Sequence, residues 1–177
     1  HTHQSYQFMK EIHERLLDLL GKPVKDPSFE LVQKELGKPH YEDEYMSAGF
    51  DFSEQGLFIS TDSARFSSLN FYFSNPFSES GWNGSLPEGI NVNDGIEVVE
   101  RKLSGKRLVR KHLCPDCYRL EYDASPYELT VCFFTDTEKM SMLAIKYAGI
   151  FTDTAELPIS YSLRLINGEE MELFKRG

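Results

Sequence analysis

The chain has 177 residues, is 40% hydrophobic and 27% charged, and carries a formal charge of -9 at pH 7. That composition is globular and argues against disorder. The negative charge disfavours direct binding to nucleic acid or to an anionic membrane surface. Thirteen Phe and nine Tyr favour strands over an all-helical bundle, and no run reaches the roughly 18 apolar residues that cross a bilayer.

The first periodic segment is 5–20. Phe8, Ile12, Leu16, Leu19 and Leu20 recur at helical spacing, with Lys10, Glu14 and Asp18 opposite. Its charged residues are unlike a secretory leader, and His1 is consistent with a tag or a trimmed leader. Gly21 and Pro23 stop the helix. A second helix follows, capped by Asp26, started by Pro27 and striped by Phe29, Val32 and Leu36, with Gly37 and Pro39 as its stop.

Strands are predicted next: one over 41–52, interrupted at Gly49; one over 57–61; and one over 66–73 after a turn at Asp62-Ser63-Ala64-Arg65. The loop Gly81-Trp82-Asn83-Gly84-Ser85-Leu86-Pro87-Glu88-Gly89-Ile90 leads to Asn93-Asp94-Gly95-Ile96-Glu97. There Asp94 and Glu97 are spaced as a capping box for a new helix. From that point the chain repeats itself in outline. Phe29, Val32 and Leu36 fall on Ile96, Val99 and Leu103 at an offset of 67. Thr61-Asp62-Ser63 falls on Thr135-Asp136-Thr137 at 74, and so do Ser67, Leu69, Phe71 and Phe73 on Ser141, Leu143, Ile145 and Tyr147. The change of offset places an insertion around 106–117. The strand 118–122 fills the slot of 41–52. A strand over 157–166, an Asn167-Gly168 hairpin turn and a short strand at Met171, Leu173 and Phe174 complete the chain.

The expected fold is therefore α+β: two tandem units, each a helix followed by an antiparallel meander of about three strands, with an extra N-terminal helix. The units, 1–80 and 81–177, are expected to pack as one globular domain.

Chemistry is sparse. His112-x-Cys114-Pro115-Asp116-Cys117 has the spacing of half a tetrahedral zinc site, with His112 or Cys132 as further ligands. A second cysteine pair is missing, and the motif precedes a strand rather than a helix, the wrong context for a thioredoxin-type pair. Turn and core cysteines, with no metal and no cofactor, are the expectation, and three cysteines suit a reducing, cytoplasmic setting. No nucleophile elbow, phosphate loop, dinucleotide fingerprint or zinc-protease motif is present, so no catalytic residue is assigned and a non-enzymatic protein is expected. The candidate partner-binding residues are Tyr41, Glu42, Asp43, Glu44 and Tyr45, an acidic cluster between tyrosines, with Phe77, Glu79 and Trp82 in the following loop. A solvated strand end is the alternative for the first group, and a plug between the two halves is the alternative for Trp82.

Leu36-Gly37-Lys38-Pro39, Leu86-Pro87-Glu88-Gly89 and the helix around Val99–Leu103 resemble a phrase in small bacterial proteins, some encoded beside toxins as immunity proteins. Each half also resembles, in pattern, the helix-plus-meander fold of small outer-membrane-assembly lipoproteins. The first resemblance implies inhibition of a cognate toxin, such as a nuclease with a basic site. The alternatives are a metalloprotein or redox enzyme using the Cys114/Cys117 region, or a scaffold or envelope-assembly module.

Overall fold

A computed structural model describes residues 10–44, 47–73, 81–149, 162–164 and 170–172. Within them the chain is mixed α+β and mostly sheet. In chain order the elements are α1 (Ile12–Leu17), α2 (Pro27–Leu36), β1 (His40–Glu44), β2 (Ser47–Phe52), β3 (Leu57–Asp62) and β4 (Arg65–Tyr72). Then come α3 (Ile96–Lys102), β5 (Arg107–Leu113), β6 (Cys117–Ala124), β7 (Tyr127–Phe134), β8 (Met140–Tyr147), β9 (Ser162–Arg164) and β10 (Glu170–Glu172). Ten strands form one sheet in the order β10-β9-β1-β2-β3-β4-β8-β7-β6-β5. Every pairing is antiparallel except β1 with β9.

Each helix forms for a local reason. In α2, Asp26 accepts the Ser28 N–H at 3.0 Å and Pro27 supplies a preset φ without needing a hydrogen bond. The helix stops at Gly37, whose φ of 93° suits only glycine. In α3 the cap differs from the sequence expectation. Gly95 is the N-cap residue and Asp94 sits one step too early. The Asp94 carboxylate is drawn backwards by the Asn91 N–H at 2.8 Å and sideways by Lys102 Nζ at 2.6 Å. Lys102 also donates to the Gly89 carbonyl at 2.7 Å, fastening the preceding loop to the helix.

Period-two alternation places one strand face inward. Phe50, Phe52, Leu57, Ile59, Phe66, Leu69 and Phe71 are buried, as are Leu120, Tyr122, Leu129, Val131, Leu143 and Ile145. All three helices cover this face through Leu16, Leu19, Phe29, Val32, Val99 and Leu103. Phe29 is fully buried at the hub, with ring centroids 4.8 Å from Phe50, 4.8 Å from Phe66 and 6.3 Å from Phe52, all edge-on. Arg15 is buried between the first two helices and ion-paired to Glu35.

The meanders have four strands each, not three. The segment expected as one strand over 41–52 is two, β1 and β2. The segment read as an insertion, 106–117, contains β5, whose seven residues are all exposed and therefore carry no inside-outside alternation. The first helix is described from Lys10 onward and its regular part is Ile12–Leu17. Of the C-terminal strands expected over 157–166 and at Met171, Leu173 and Phe174, the described parts are Ser162–Arg164 and Glu170–Glu172; the remainder and the Asn167-Gly168 turn lie outside the described residues.

The two meanders meet at β4 and β8, so the strand order from β1 to β5 is mirrored about that seam. There Leu69 faces Ile145, Asn70 faces Ala144, and Phe71 faces Leu143. The hairpins beside the seam both carry a register shift, between Ser60 and Thr61 in β3 and between Cys132 and Phe133 in β7. Their turns differ. Ser63 and Ala64, with φ of 53° and 59°, make a two-residue turn, whereas 135–138 span the second turn, with Glu138 at a φ of 58°. Thr61-Asp62 thus ends a strand, and Thr135-Asp136 lies beyond one.

Two outcomes follow from this packing. Phe29→Ala should destabilise the protein by about 3–5 kcal/mol in denaturant titration, since four packed rings leave a cavity that cannot collapse. Asp26→Ala should cost about 1 kcal/mol at neutral pH. Burial pushes the Asp26 carboxyl up, but the Ser28 hydrogen bonds and Lys22 outweigh it and hold it below the usual range. A depressed folded pKa stabilises above the unfolded value. The deficit of the Asp26→Ala protein should therefore shrink as pH falls through the carboxyl's folded pKa.

Candidate functional site

With the helices on one side, no described helix packs on the opposite face of the sheet. Pairing fixes what it presents. Glu42 lies on β1, Asp51 on β2, Phe58 and Ser60 on β3, and Ser68, Asn70 and Tyr72 on β4. Across the seam it continues through Met142, Ala144 and Lys146 on β8 and Glu128 and Thr130 on β7 to Arg119, Glu121 and Asp123 on β6. Most of these side chains are half-buried and Tyr72 is 40% exposed.

The centre of this face is ordered by two local devices. The Phe58 ring lies across Gly49, where an added Cβ would collide with that ring and with the Ile59 carbonyl oxygen. Beside it, the Asn70 amide donates to the Phe58 carbonyl at 3.1 Å, to Ser60 Oγ at 3.0 Å and to Ser68 Oγ at 3.2 Å. A short polar patch is thereby satisfied internally, next to the apolar surface of Phe58, Tyr72 and Met142. Burial raises the Tyr72 hydroxyl pKa and the negative charge of Asp51 adds to it, so this tyrosine stays a neutral donor.

At the far end, the shift between Leu108 and Arg110 bulges Val109 out of β5. Beside it runs a groove of about 510 Å³ lined by Arg107, Val109, Arg110, Glu121, Asp123 and Glu128 among others. Its charges are mutually compensated. Arg107 meets Asp123 at 3.0 Å, Arg110 meets Glu121 at 3.4 Å and Arg119 meets Glu121 at 2.9 Å. Hydrogen bonds from Ser125 and then from Arg107 hold the Asp123 carboxyl below its usual range.

The described residues among those expected to bind a partner are divided between core and surface. Tyr41 is 5% exposed, with its ring 5.1 Å from Phe50, and Trp82 is 4% exposed, 5.0 Å from Phe71. Both belong to the core. Trp82 Nε1 donates to the Ser85 carbonyl at 3.1 Å, and Ser85 Oγ in turn meets His13 at 2.7 Å, so this loop is bound to α1. Glu42 is half-buried on the helix-free face, Asp43 is exposed, and Glu44 pairs with Ser47 in the backbone register. Tyr45, Phe77 and Glu79 lie outside the described residues. Sequence reasoning missed Phe58, Tyr72 and Met142. Their signal was present as the alternate positions of strands whose inward residues had been recognised.

Cys114 and Cys117 flank the β5–β6 turn and Cys132 is buried on β7. Among the described residues, no group of three or more metal-ligating side chains comes together, and no helix is long and apolar enough to cross a membrane.

The chain matches no protein-family model and no curated protein. Among solved structures it is similar to a DUF4309 family protein (YjgB) from Bacillus subtilis, with 18% sequence identity and a TM-score of 0.46. The match covers 72% of this chain and 80% of that one. A likeness at that level carries no functional argument.

The Gly49 contact gives a direct check. Gly49→Ala should lower stability by about 1–3 kcal/mol, as overpacking against strand backbone does. Adding Phe58→Ala should relieve only the part of the loss due to the ring, the collision with the Ile59 carbonyl remaining, as measured by a double-mutant cycle in denaturant.

Proposed function

We propose that this is a non-enzymatic binding protein, an immunity protein that inhibits a cognate bacterial toxin by covering a basic surface. The observation that carries the reading is the helix-free sheet face. Phe58, Tyr72 and Met142 are grouped at its middle, with the carboxylates of Glu42 and Asp51 on the β1–β2 side. Such a face offers an aromatic anchor with a polar tip beside charges that attract cations. The net charge of -9 supports a basic partner rather than nucleic acid or an anionic membrane, and a cytoplasmic setting is part of the same proposal. Within the expected acidic and aromatic cluster, Glu42 remains on this face, while the anchors shift from Tyr41 and Trp82 to Tyr72 and its neighbours.

We also read the two halves as copies of one unit, so that the face is assembled twice across a seam. Three features support this: the mirrored strand order, the register shifts, and the seam itself. The sequence offset of 74 for β4 onto β8 is the separation of Asn70 and Ala144, the pair at the middle of the five-pair seam. Each copy's strand is thus paired with its own equivalent, as a two-fold axis through that pair requires.

The test is binding kinetics with the protein captured from the native host, at two salt concentrations. Glu42→Gln with Asp51→Asn should slow association and flatten its salt dependence, while Tyr72→Ala should speed dissociation, at a cost of about 2 kcal/mol or more. A tight partner indifferent to all three substitutions would sink the proposal, and so would turnover of a small molecule by the isolated protein.

A further inference from the structure

The β5–β6 hairpin holds chemistry that a binding role does not use. Its turn is Cys114-Pro115-Asp116-Cys117, closed by the Cys114 N–H donating to the Cys117 carbonyl at 2.8 Å. The adjoining register is antiparallel, with Leu113 facing Tyr118, so Cys114 and Cys117 are the next facing pair. Hydrogen-bonded antiparallel partners hold their Cα atoms about 5.5 Å apart, inside the span of about 4.4–6.8 Å that a disulfide takes. The Cys114 thiol is a close neighbour of the Cys117 thiol, and both residues are half-exposed at the end of the sheet. Pro115 and Asp116 are exposed and leave the turn open to a small reagent.

We propose that Cys114 and Cys117 are a redox site that closes to an intramolecular disulfide by exchange with a low-molecular-weight disulfide such as glutathione disulfide. Burial, and then the neighbouring Cys114 thiol, push the Cys117 thiol up, so Cys117 keeps its proton until the second step. Cys114 Sγ attacks one glutathione sulfur, the glutathione S–S bond breaks, and one glutathione thiolate leaves and takes a proton. Cys117 then loses its proton and attacks Cys114 Sγ, forming the protein disulfide and expelling the second glutathione. Two protein thiols are oxidised and one glutathione disulfide is reduced to two thiols. Cys132 takes no part. It is buried on β7 opposite Arg119, and its thiol is likewise pushed up by burial.

The consequence falls on β5. This strand pairs only with β6, and all of its residues are exposed, including Leu113 at 72%. A covalent tie across its turn restrains the hairpin at an end that is exposed among the described residues.

The experiment equilibrates the full chain in glutathione redox buffers and reads intact mass, alkylation maps and amide exchange. One disulfide per chain is expected, with a loss of about 2 Da and with Cys132 as the sole alkylated cysteine after denaturation. Exchange in β5 should slow by about tenfold on oxidation. Cys117→Ser should instead accumulate a stable glutathione adduct on Cys114, and Cys132→Ala should still form the disulfide. The proposal is overturned if the parent protein stops at the adduct, if Cys132 enters the bond, or if the pair stays reduced across the whole buffer range. Protection of the thiols by a stoichiometric zinc ion would overturn it as well.

Discussion

The pairing of β4 with β8 is the contact on which the rest of the molecule depends. Each meander alone would expose one long strand edge with unpaired N–H and C=O groups, a liability in water. Joining the two edges satisfies those groups and aligns two apolar faces into one. Leu69, Phe71, Leu143 and Ile145 meet there at 3% exposure or less. A one-residue slip would turn the two apolar residues of the slipped strand away from the two of its partner, so the register is fixed by burial rather than by the turns. The same register fixes the other face, setting Asn70 against Ala144 and Tyr72 against Met142.

That other face follows from the economy of a single helix layer. The three described helices all lie on one side of the sheet. Bulk is concentrated accordingly: Phe29, Phe50, Phe52 and Phe66 fill the space beneath α2, while the positions between them are Ser60, Ser68, Asn70 and Gly49. Small polar residues keep an uncovered sheet wet and discourage indiscriminate stacking. Against that background, Phe58, Tyr72 and Met142 are conspicuous, because nothing in the packing of the core requires them. Phe58 in addition shields the backbone at Gly49.

Where sequence and structure agree, a strong local rule was acting. The Asp26-Pro27 start and Gly37 stop of α2, the strand β3, the inward stripes of β4 and β8, and the turn after Asp62 were all legible. Asp94 was misread because a carboxylate before a helix has two competing donors, the helix N–H groups and the Asn91 N–H behind it. Lys102 tips the balance toward the second. The strand β5 was illegible for a different reason, since an edge strand exposed on both faces has no period to read. Tyr41 looked like a surface anchor because its neighbours are polar, but adjacent strand residues point to opposite faces, and Trp82 is folded back from its loop onto Phe71. Acidic neighbours of Tyr41 are therefore expected even when its own ring is buried.

Charge distribution bears on which end of the open face meets a cation. The β5–β6 hairpin contributes Arg107, Arg110, Lys111 and Arg119, yet these meet Asp123, Glu121, Glu100 and Glu121 within 3.4 Å. Four cations there share three carboxylates, and what charge is left on this exposed hairpin is screened beyond a Debye length of about 8–10 Å. The excess behind the net charge of -9 must therefore reside elsewhere in the chain. On the β1–β2 side, Glu42 and Asp51 stand on the open face, and Asp51 is near enough to Tyr72 to raise its hydroxyl pKa. Long-range attraction and short-range aromatic contact are thus offered by the same half of the face. A basic surface would be drawn toward β1–β4 first and would find Tyr72 and Met142 as it settled across the seam.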